Sequence, residues 1–270
     1  MVSCKTKVCI GILKPYYETE LGRLYHGDCL EIMPMLEPVD LVLTDPPYGT
    51  TACKWDSIIP IEPMWKNLKR VIKNNGAIVM TASQPFTTTL ISSNMKTFKY
   101  CWVWVKPKGT GHLNAKRMPM NDYEDVVVFY EKQCVYNPQM VAGEPYENKG
   151  GKTVKVNESG ATTYGKFMTG GEYNKTNDGW RYPKRVISIP TVERGSVHPT
   201  QKPVALMEYL IKTYTNEGET VLDFSIGSGT TAIACERLNR RWIGIEIEEK
   251  YCEIAAKRIE KERSQLKLFT

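Results

Sequence analysis

Four consecutive residues, Asp45-Pro46-Pro47-Tyr48, combine a carboxylate, a stiff backbone and an aromatic ring. The two prolines fix φ and remove two amide donors, so the nearby carbonyl oxygens are held rigidly as hydrogen-bond acceptors. The Asp45 carboxylate and the Pro46 carbonyl could each accept one N–H of an exocyclic amine, while the Tyr48 ring stacks on the attached base. Only a nucleotide swung out of its duplex could reach such a site. The alternative is a surface turn after a strand, because Asp-Pro-Pro is common turn material.

A second group of residues with recognisable chemistry lies between Asp223 and Glu246. The run Ser225-Ile226-Gly227-Ser228-Gly229-Thr230-Thr231 predicts a tight turn from a strand into a helix. Gly227 and Gly229 allow the backbone to approach a ligand, and the helix start offers unpaired N–H groups to a carboxylate or a phosphate. Glu246 ends the next predicted strand, where its carboxylate can accept both hydroxyls of a ribose.

The glycine pattern also fits an NAD-type oxidoreductase, because residues 227–232 satisfy G-x-G-x-x-A. Asp223 favours a different ligand, since it would repel a pyrophosphate but pair with an ammonium group. S-adenosylmethionine offers an amino group to Asp223, a carboxylate to the helix start, a ribose to Glu246 and an adenine to apolar surface. The sequence therefore predicts S-adenosylmethionine as the cofactor.

Parallel strands are needed to bring these two groups to one edge of a sheet. Apolar runs predict four buried strands, over residues 21–26, 39–44, 219–224 and 241–247. Too few residues follow Gly229 for a doubly wound sheet, so the remaining strands must come from the N-terminal half. The strand over 21–26 ends at Asp28, whose carboxylate could accept the amino group of the cofactor's adenine. The predicted fold is circularly permuted, with its cofactor half written last.

Between the two groups, periodicity predicts helices over 60–74 and 84–94, strands over 76–81 and 99–105, and an antiparallel strand over 123–130. Periodicity fails between residues 132 and 194, where eight glycines are interspersed with aromatic and basic residues. Long irregular segments in compact domains are usually functional or disordered. Because cations and aromatic rings suit phosphate contact and base reading, we predict a target-recognition region here. The alternative is a solvated insertion that makes no such contacts.

The ordered set of motifs resembles the amino-methylating DNA methyltransferases of the β order, over nearly the whole chain. The motifs are Gly27-Asp28, Asp45-Pro46-Pro47-Tyr48, His198-Pro199-Thr200-Gln201-Lys202-Pro203 and Asp223-Phe224-x-x-Gly227-x-Gly229. The resemblance implies a doubly wound, mostly parallel, seven-stranded Rossmann-like α/β sheet with an inserted recognition region. We expect residues 1–131 to form the catalytic half, 132–197 the insert and 198–270 the cofactor half.

Motif chemistry and the resemblance together predict the site residues. The residues expected to hold the target amine are Asp45, Pro46, Pro47 and Tyr48. The expected cofactor contacts are Asp28, Asp45, Thr200, Gln201, Lys202, Asp223, Phe224, Ser225, Gly227, Gly229, Thr230, Thr231 and Glu246. Ser225-Ile226 departs from the family pattern, where relatives often carry other small or polar residues. The loop over 49–56, the basic loop over 106–117 and the basic part of the insert predict DNA contacts through Lys54, Lys106, Lys108, Lys116, Arg117, Arg181, Lys184 and Arg185.

Composition agrees with one large α/β domain carrying an insert: 270 residues are 41% hydrophobic. The net charge is +6 and the isoelectric point about 8.8, a mild bias toward a polyanion. Eight cysteines include no C-x-x-C pair, and neither they nor the three histidines have the spacing of a metal site, so we expect no metal. No leader pattern and no run of 18 apolar residues was found, which predicts a cytoplasmic protein outside the membrane.

The predicted reaction is methylation of adenine N6 in double-stranded DNA. Cytosine N4 is the alternative, since both bases present an exocyclic amine; the family habit that Asp leads the tetrad in adenine enzymes favours adenine. RNA, a protein glutamine amide and a catalytically silent DNA-binding module are further alternatives. Methylation at cytosine carbon 5 is disfavoured, because it requires a cysteine nucleophile, typically after proline. A cognate restriction endonuclease is a candidate partner, and the chain is expected to be a monomer or a homodimer.

Overall fold

The structure is a computed structural model that describes residues 13–50, 56–148, 175–191 and 201–266. The described residues fall into two compact units. The larger unit lies within residues 1–137 and 185–270, and the smaller unit is Pro138–Lys184. The smaller unit is shorter than the insert predicted over 132–197, because residues 132–137 and 185–191 lie in the larger unit.

The bounds of the elements follow in chain order. The strands are β1 (Tyr17–Glu18), β2 (Gly22–His26), β3 (Val39–Thr44), β4 (Ile72–Ala82), β5 (Phe98–Thr110), β6 (Asn121–Phe129), β7 (Val141–Ala142), β8 (Tyr146–Asn148), β9 (Lys175–Asn177), β10 (Trp180–Arg181), β11 (Val186–Ser188), β12 (Thr220–Asp223) and β13 (Arg241–Glu246). The α-helices are α1 (Cys29–Ile32), α2 (Ile61–Val71), α3 (Phe86–Ser93), α4 (Val204–Tyr214), α5 (Thr230–Arg237) and α6 (Glu249–Leu266). Short 3₁₀ turns lie at Met33–Met35 and His112–Asn114.

The larger unit is built on one sheet with strand order β1-β2-β13-β12-β3-β4-β6-β5-β11. Strands β2, β13, β12, β3 and β4 run parallel, whereas β6 is antiparallel to both of its neighbours. This confirms the predicted mostly parallel α/β sheet and the antiparallel return over 123–130. The sheet has nine strands rather than seven, because β1 and β11 extend its two edges. Strands of two or three residues are too short to show periodicity in the sequence.

The order of the strands places β12 and β13, from near the end of the chain, between β2 and β3 from its N-terminal part. Strand β12 lies between β13 and β3, so a strand from near residue 220 pairs with one from near residue 40. The connection β12-α5-β13 leads toward one edge of the sheet, and β3-α2-β4 leads toward the other. The junction of β12 and β3 is therefore a topological switch point, where open α/β sheets bind ligands outside the carboxyl ends of their strands.

The core lies on both faces of this sheet, as two separate clusters of buried side chains. Successive residues of a strand point to opposite faces, and β3 shows this directly. Leu41 and Leu43 belong to one cluster, whereas Val42 belongs to the other. Because both faces are covered, β3 is apolar at four of its six positions, three of them consecutive, instead of alternating. Burial on two sides holds the carboxyl end of β3 firmly in place.

Four short strands form two antiparallel pairs in the smaller unit, β7 with β10 and β8 with β9. The guanidinium of Arg181 lies over the Tyr146 ring, 4.7 Å from its centroid, and also donates to the carbonyl of Glu144. Trp180 and Tyr182 are exposed. This part of the chain therefore has its own local contacts and presents aromatic rings to solvent.

None of the helices in the described ranges combines the length and the apolar character that crossing a membrane requires.

Candidate active site

A cavity of about 920 Å³ opens at the carboxyl ends of β3 and β12. Both predicted groups of residues line it, including Asp28, Asp45, Tyr48, Asp223, Gly227 and Glu246. Its size suits a cofactor together with part of a second ligand. Residues at opposite ends of the chain thus reach one cavity, because β3 and β12 are neighbours in the sheet.

Hydrogen bonds join the ends of these two strands directly. Thr44 Oγ1 donates to Asp223 Oδ1 at 2.7 Å, and Ser225 Oγ donates to the backbone carbonyl of Asp45 at 3.1 Å. Thr44 and Asp223 are both buried. The Asp45 tetrad and the glycine-rich turn are therefore held within hydrogen-bonding distance of each other.

The Asp45 carboxylate already has three donors within the protein. Its Oδ1 accepts from Tyr48 Oη at 2.6 Å and from Thr81 Oγ1, and its Oδ2 accepts from Lys202 Nζ at 2.7 Å. The Tyr48 ring stacks on Phe86, with centroids 5.4 Å apart, and burial raises the pKa of its hydroxyl well above 10. Tyr48 is thus a neutral donor to Asp45.

Lys202 and Glu124 extend this group into a chain of charges, in which Lys202 is buried and the other charged residues are partly buried. Lys202 Nζ lies 3.2 Å from Glu124 Oε2, and Lys106 Nζ donates to Glu124 Oε1 at 3.1 Å. The Lys202 side chain is only 7% exposed. Burial acts to lower the pKa of Lys202, but the carboxylates of Asp45 and Glu124 outweigh it and raise the pKa above its ordinary value. Lys202 is therefore a cation held between two carboxylates.

Asp223 has a different set of partners. Its carboxylate accepts from Thr44, from Thr231 Oγ1 at 2.6 Å and from the Ser225 amide at 3.2 Å. No lysine or arginine in the described ranges forms an ion pair with it. Burial raises the pKa of Asp223 to about 6, although these hydrogen bonds act to lower it. The site thus holds a carboxylate that lacks a cationic partner among the described residues.

Glu246 is held by backbone amides. Its Oε2 accepts from the Gly227 amide at 2.8 Å and its Oε1 from the Glu248 amide at 3.0 Å. Burial raises the pKa of Glu246 above its ordinary value. Each oxygen keeps a second lone pair that a hydroxyl group can use. The carboxylate is therefore fixed in orientation and still able to accept two further bonds.

The two glycines of the turn serve different purposes. Both have left-handed backbone, with φ of +53° at Gly227 and +84° at Gly229, where other residues are strained. A Cβ on Gly227 would meet nothing within 4 Å, whereas one on Gly229 would lie 3.0 Å from the Cβ of Ala255. Gly227 therefore leaves open space above the turn, and Gly229 allows the close approach of α6.

Three site residues were not identified from the sequence: Thr44, Thr81 and Glu124. Thr44 is the polar last residue of an apolar strand, a signal that could have been noticed. Thr81 and Glu124 sit on β4 and β6, which are antiparallel neighbours. No local pattern indicates that either one faces Asp45 or Lys202, because that depends on the strand order.

The sequence profile of the DNA methylase family, of the N6/N4 type, matches residues 39–257. The chain belongs to this family. The match spans the Asp45 tetrad, the Lys202 segment, the glycine-rich turn and Glu246. The methyltransferase function expected from the motifs is thereby confirmed, with the choice between adenine and cytosine left open.

Curated relatives and solved structures agree with this membership. The methylase is 28% identical to type II methyltransferase M.BamHI of Bacillus amyloliquefaciens over 95% of the chain, and spans 61% of that protein. It is 27% identical to type II methyltransferase M2.LlaDCHI of Lactococcus lactis subsp. cremoris, over 93% of the chain and 94% of the relative. The M1.HpyAVI-SAM complex superimposes with a TM-score of 0.60 and 26% identity, over 88% of this chain and 98% of that one.

S-adenosylmethionine is the cofactor of this methylase, and the described residues fit it. Asp223 has no cationic partner in the part of the chain that the structure describes, and its carboxylate suits the ammonium of the methionine part. Glu246 has lone pairs for two ribose hydroxyls, and the space above Gly227 allows a ligand to approach the backbone. Asp28 lines the same cavity, where it also caps α1 by accepting from the Leu30 amide.

The other predicted cofactor residues lie at several places. Gln201, Phe224, Ser225, Thr230 and Thr231 line the cavity, whereas Thr200 lies outside the described residues. Lys202 also lines the cavity, but its ammonium is bound to Asp45 and Glu124. No group of three His, Cys, Asp or Glu side chains suited to a metal ion occurs in the described ranges.

The predicted DNA contacts are similarly spread over the molecule. Lys116 and Arg117 are exposed on the connection between β5 and β6, and Lys108 is exposed near the end of β5 itself. Lys106 is 9% exposed and bound to Glu124, so it is not a surface cation. Arg181 and Lys184 belong to the smaller unit, and the Arg185 guanidinium lies 5.4 Å from the Tyr100 ring centroid. Lys54 lies outside the described residues.

Proposed function

We propose that this methylase transfers a methyl group from S-adenosylmethionine to N6 of an adenine flipped out of duplex DNA. The observation that carries the proposal is the bonded junction of β3 and β12, where Thr44 and Ser225 connect the Asp45 tetrad to Asp223. An acceptor of amine hydrogens and a carboxylate suited to the cofactor's ammonium thus share one cavity. Direct transfer requires such proximity.

The tetrad has the acceptors that an aromatic amine needs. When bound, S-adenosylmethionine supplies a methyl group that its sulfonium already activates. Asp45 Oδ2 and the Pro46 carbonyl accept the two N–H bonds of the amine, which favours a more tetrahedral nitrogen and stabilises its developing positive charge. Pro46 and Pro47 keep these acceptors rigid. Tyr48 stacks on the base, and no covalent intermediate with the protein is required.

The cofactor residues keep the roles proposed from their chemistry. Asp223 binds the ammonium, Glu246 the ribose and Asp28 the amino group of the adenine. Phe224 and the start of α5 at Thr230 and Thr231 lie beside them in the cavity lining, with Ser225, Gly227 and Gly229 forming the turn. Gln201 accepts from Ser228 Oγ at 3.4 Å, which supports a place for this segment beside the cofactor.

DNA contact is proposed for two separate regions. The end of β5 and its connection to β6 carry Lys108, Lys116 and Arg117, whose exposed charges suit phosphates. The smaller unit is proposed as the core of the target-recognition region, because its exposed Trp180 and Tyr182 flank Arg181. Base edges are read by such combinations of cationic and aromatic side chains.

Cytosine N4 is the second candidate for the methylated atom. The PvuII DNA methyltransferase (cytosine-N4-specific) superimposes with a TM-score of 0.63 at 19% identity, over 93% of both chains, which is a likeness of fold alone. DNA adenine methyltransferase YhdJ of Escherichia coli (strain K12) is 25% identical over 90% of this chain and 84% of the relative. Asp45 at the head of the tetrad favours adenine.

The test is to incubate the protein with methyl-labelled S-adenosylmethionine and unmethylated duplex DNA, then to separate the nucleosides. We expect the label in N6-methyl-2′-deoxyadenosine. Label in N4-methyl-2′-deoxycytidine would overturn the choice of adenine, and absence of label from every DNA tested would contradict DNA methylation. Parallel reactions with RNA and with single-stranded DNA test the preference for duplex DNA.

Two further properties are proposed on the same basis. A cognate restriction endonuclease is the proposed partner, since M.BamHI and M2.LlaDCHI are type II methyltransferases. Co-purification with the product of a neighbouring gene and cleavage of unmethylated DNA by that product would test this. A monomer or a homodimer is proposed for the chain, which ultracentrifugation distinguishes.

A further inference from the structure

Lys202 lies at the proposed site of the target base. Its ammonium donates to Asp45 Oδ2 at 2.7 Å, and it also lies 5.6 Å from the centroid of the Tyr48 ring. Asp45 is the proposed acceptor of the amine, and Tyr48 the proposed stacking partner of the base. One buried cation thus contacts both groups that the base is proposed to use.

The Asp45 carboxylate has little capacity left for an amine. An ionised carboxylate offers about four acceptor positions, two on each oxygen. Tyr48 and Thr81 use both positions on Oδ1, so the remaining position is on Oδ2, the oxygen that already binds Lys202. An amine bound there would lie beside the ammonium. As the amine becomes positively charged during transfer, this neighbour would repel it and offset the charge of Asp45.

Glu124 offers the ammonium a second position. Its buried Oε2 lies 3.2 Å from Lys202 Nζ, at ion-pair distance, but has no hydrogen-bond partner among the described residues. The other two donors to Asp45 are less able to leave. The Tyr48 ring is stacked on Phe86, and Thr81 is fully buried on β4. Of the three donors, only Lys202 has a nearby acceptor with an unfilled position.

We propose that entry of the base breaks the contact of the Lys202 ammonium with Asp45, and that the ammonium then closes on Glu124, with which it already forms an ion pair. In the free protein Lys202 neutralises the Asp45 carboxylate, and in the complex Glu124 holds the cation so that Asp45 faces the amine unpaired. Lys202 and Glu124 are therefore positioning residues that act through Asp45. This inference rests on the proposed function, because it concerns the same amine site.

The test is a double-mutant cycle on single-turnover methyl transfer at saturating DNA and cofactor. Glu124→Gln removes the negative charge that receives the ammonium, so Lys202 stays on Asp45 and the rate falls on the order of tenfold or more. Adding Lys202→Met to Glu124→Gln removes the retained cation. We expect the double variant to be faster than Glu124→Gln alone. If Lys202 only supports the shape of the site, the double variant will be as slow as or slower than Glu124→Gln, which would overturn the proposal.

Lys106→Met is the matched control. Lys106 binds the other oxygen of Glu124 and does not contact Asp45. Its loss leaves the position for Lys202 intact, so adding Lys202→Met to it should not raise the rate; a rise would count against the proposal. Melting temperature and cofactor affinity by calorimetry identify any variant that fails to fold, and Lys202→Gln replaces Lys202→Met in that case.

A second measurement does not depend on any variant. In a crystal structure of the wild-type protein with sinefungin and duplex DNA containing its site, Lys202 Nζ should bind Glu124 and lie beyond 4 Å from Asp45. Retention of the contact of Lys202 with Asp45 beside a bound base would overturn the inference. If the wild-type protein methylates DNA but the double variant is no faster than Glu124→Gln, only the proposed movement of Lys202 is refuted. If the wild-type protein transfers no methyl group to DNA, the proposed function is refuted.

Discussion

The carboxylates at the two strand ends that meet in the candidate active site have different bonding partners. Asp45, after β3, is paired with the buried ammonium of Lys202. Among the described residues, Asp223 at the end of β12 is bound by hydroxyl and amide donors alone, and burial raises its pKa to about 6. The strands are adjacent, yet one carboxylate is neutralised by the protein itself and the other has no described cation.

This difference indicates what each carboxylate binds. A buried carboxylate without a cation gains most from a ligand that carries a permanent positive charge, as the ammonium of S-adenosylmethionine does. If Lys202 leaves Asp45 when the base enters, as proposed, the exposed Asp45 carboxylate suits a neutral amine whose positive charge develops only during the reaction. We therefore propose that the different partners of Asp45 and Asp223 separate the site of the target amine from that of the cofactor's ammonium.

The largest effect is expected from Asp45→Ala. Methyl transfer should fall by at least about 100-fold, because the amine loses an acceptor for its N–H and for its developing charge. Cofactor affinity should remain close to that of the wild type, since Asp223 and Glu246 are untouched. Single-turnover kinetics and calorimetry measure the two quantities separately.

Asp40→Asn is the matched control for that variant. Asp40 lies on the same strand but binds Lys73 and the Thr220 amide at the other end. Its transfer rate should be near wild type. If Asp45→Ala turned over at the wild-type rate, Asp45 would not be the acceptor of the target amine.

Glu246→Ala tests the proposed contact between Glu246 and the ribose of the cofactor. The loss of a charge-assisted bond should weaken S-adenosylmethionine binding by about 1.5–3 kcal/mol, roughly 10- to 150-fold in affinity. Calorimetry with the cofactor measures it. Glu249→Ala is the control, because Glu249 is exposed in the first turn of α6 and does not line the cavity. An affinity for Glu246→Ala equal to that of this control would refute the ribose contact.

The smallest effect concerns pH. Asp223 is charged above its pKa of about 6 and neutral below it, and only the charged form pairs with an ammonium. Cofactor affinity should therefore be constant above about pH 7 and fall by up to about tenfold per unit below pH 6. Asp223→Asn should bind weakly at pH 7 and show a flat profile between pH 5 and 7. If Asp223→Asn kept the wild-type slope, another group would be responsible for it.

Local sequence was sufficient for much of the fold. The apolar run over 39–44 predicted β3 with the bounds that the structure has, because a strand buried on both faces is continuously apolar. The helices over 60–74 and 84–94 are confirmed as α2 and α3, with shorter ends. End positions depend on capping and on the start of the next strand, which periodicity does not specify.

The sequence by itself determined the chemistry and the order of the motifs. A carboxylate on a rigid backbone follows one buried strand. A second carboxylate ends another buried strand, a glycine-rich turn follows it, and a third carboxylate ends the next strand. Only the tertiary structure decided that Lys202 binds Asp45, 157 residues away, and that Glu124 lies on its other side. The physical reason is that periodicity and backbone chemistry act over a few residues. Which side chains meet across a sheet depends instead on strand order and on the path of the chain between them.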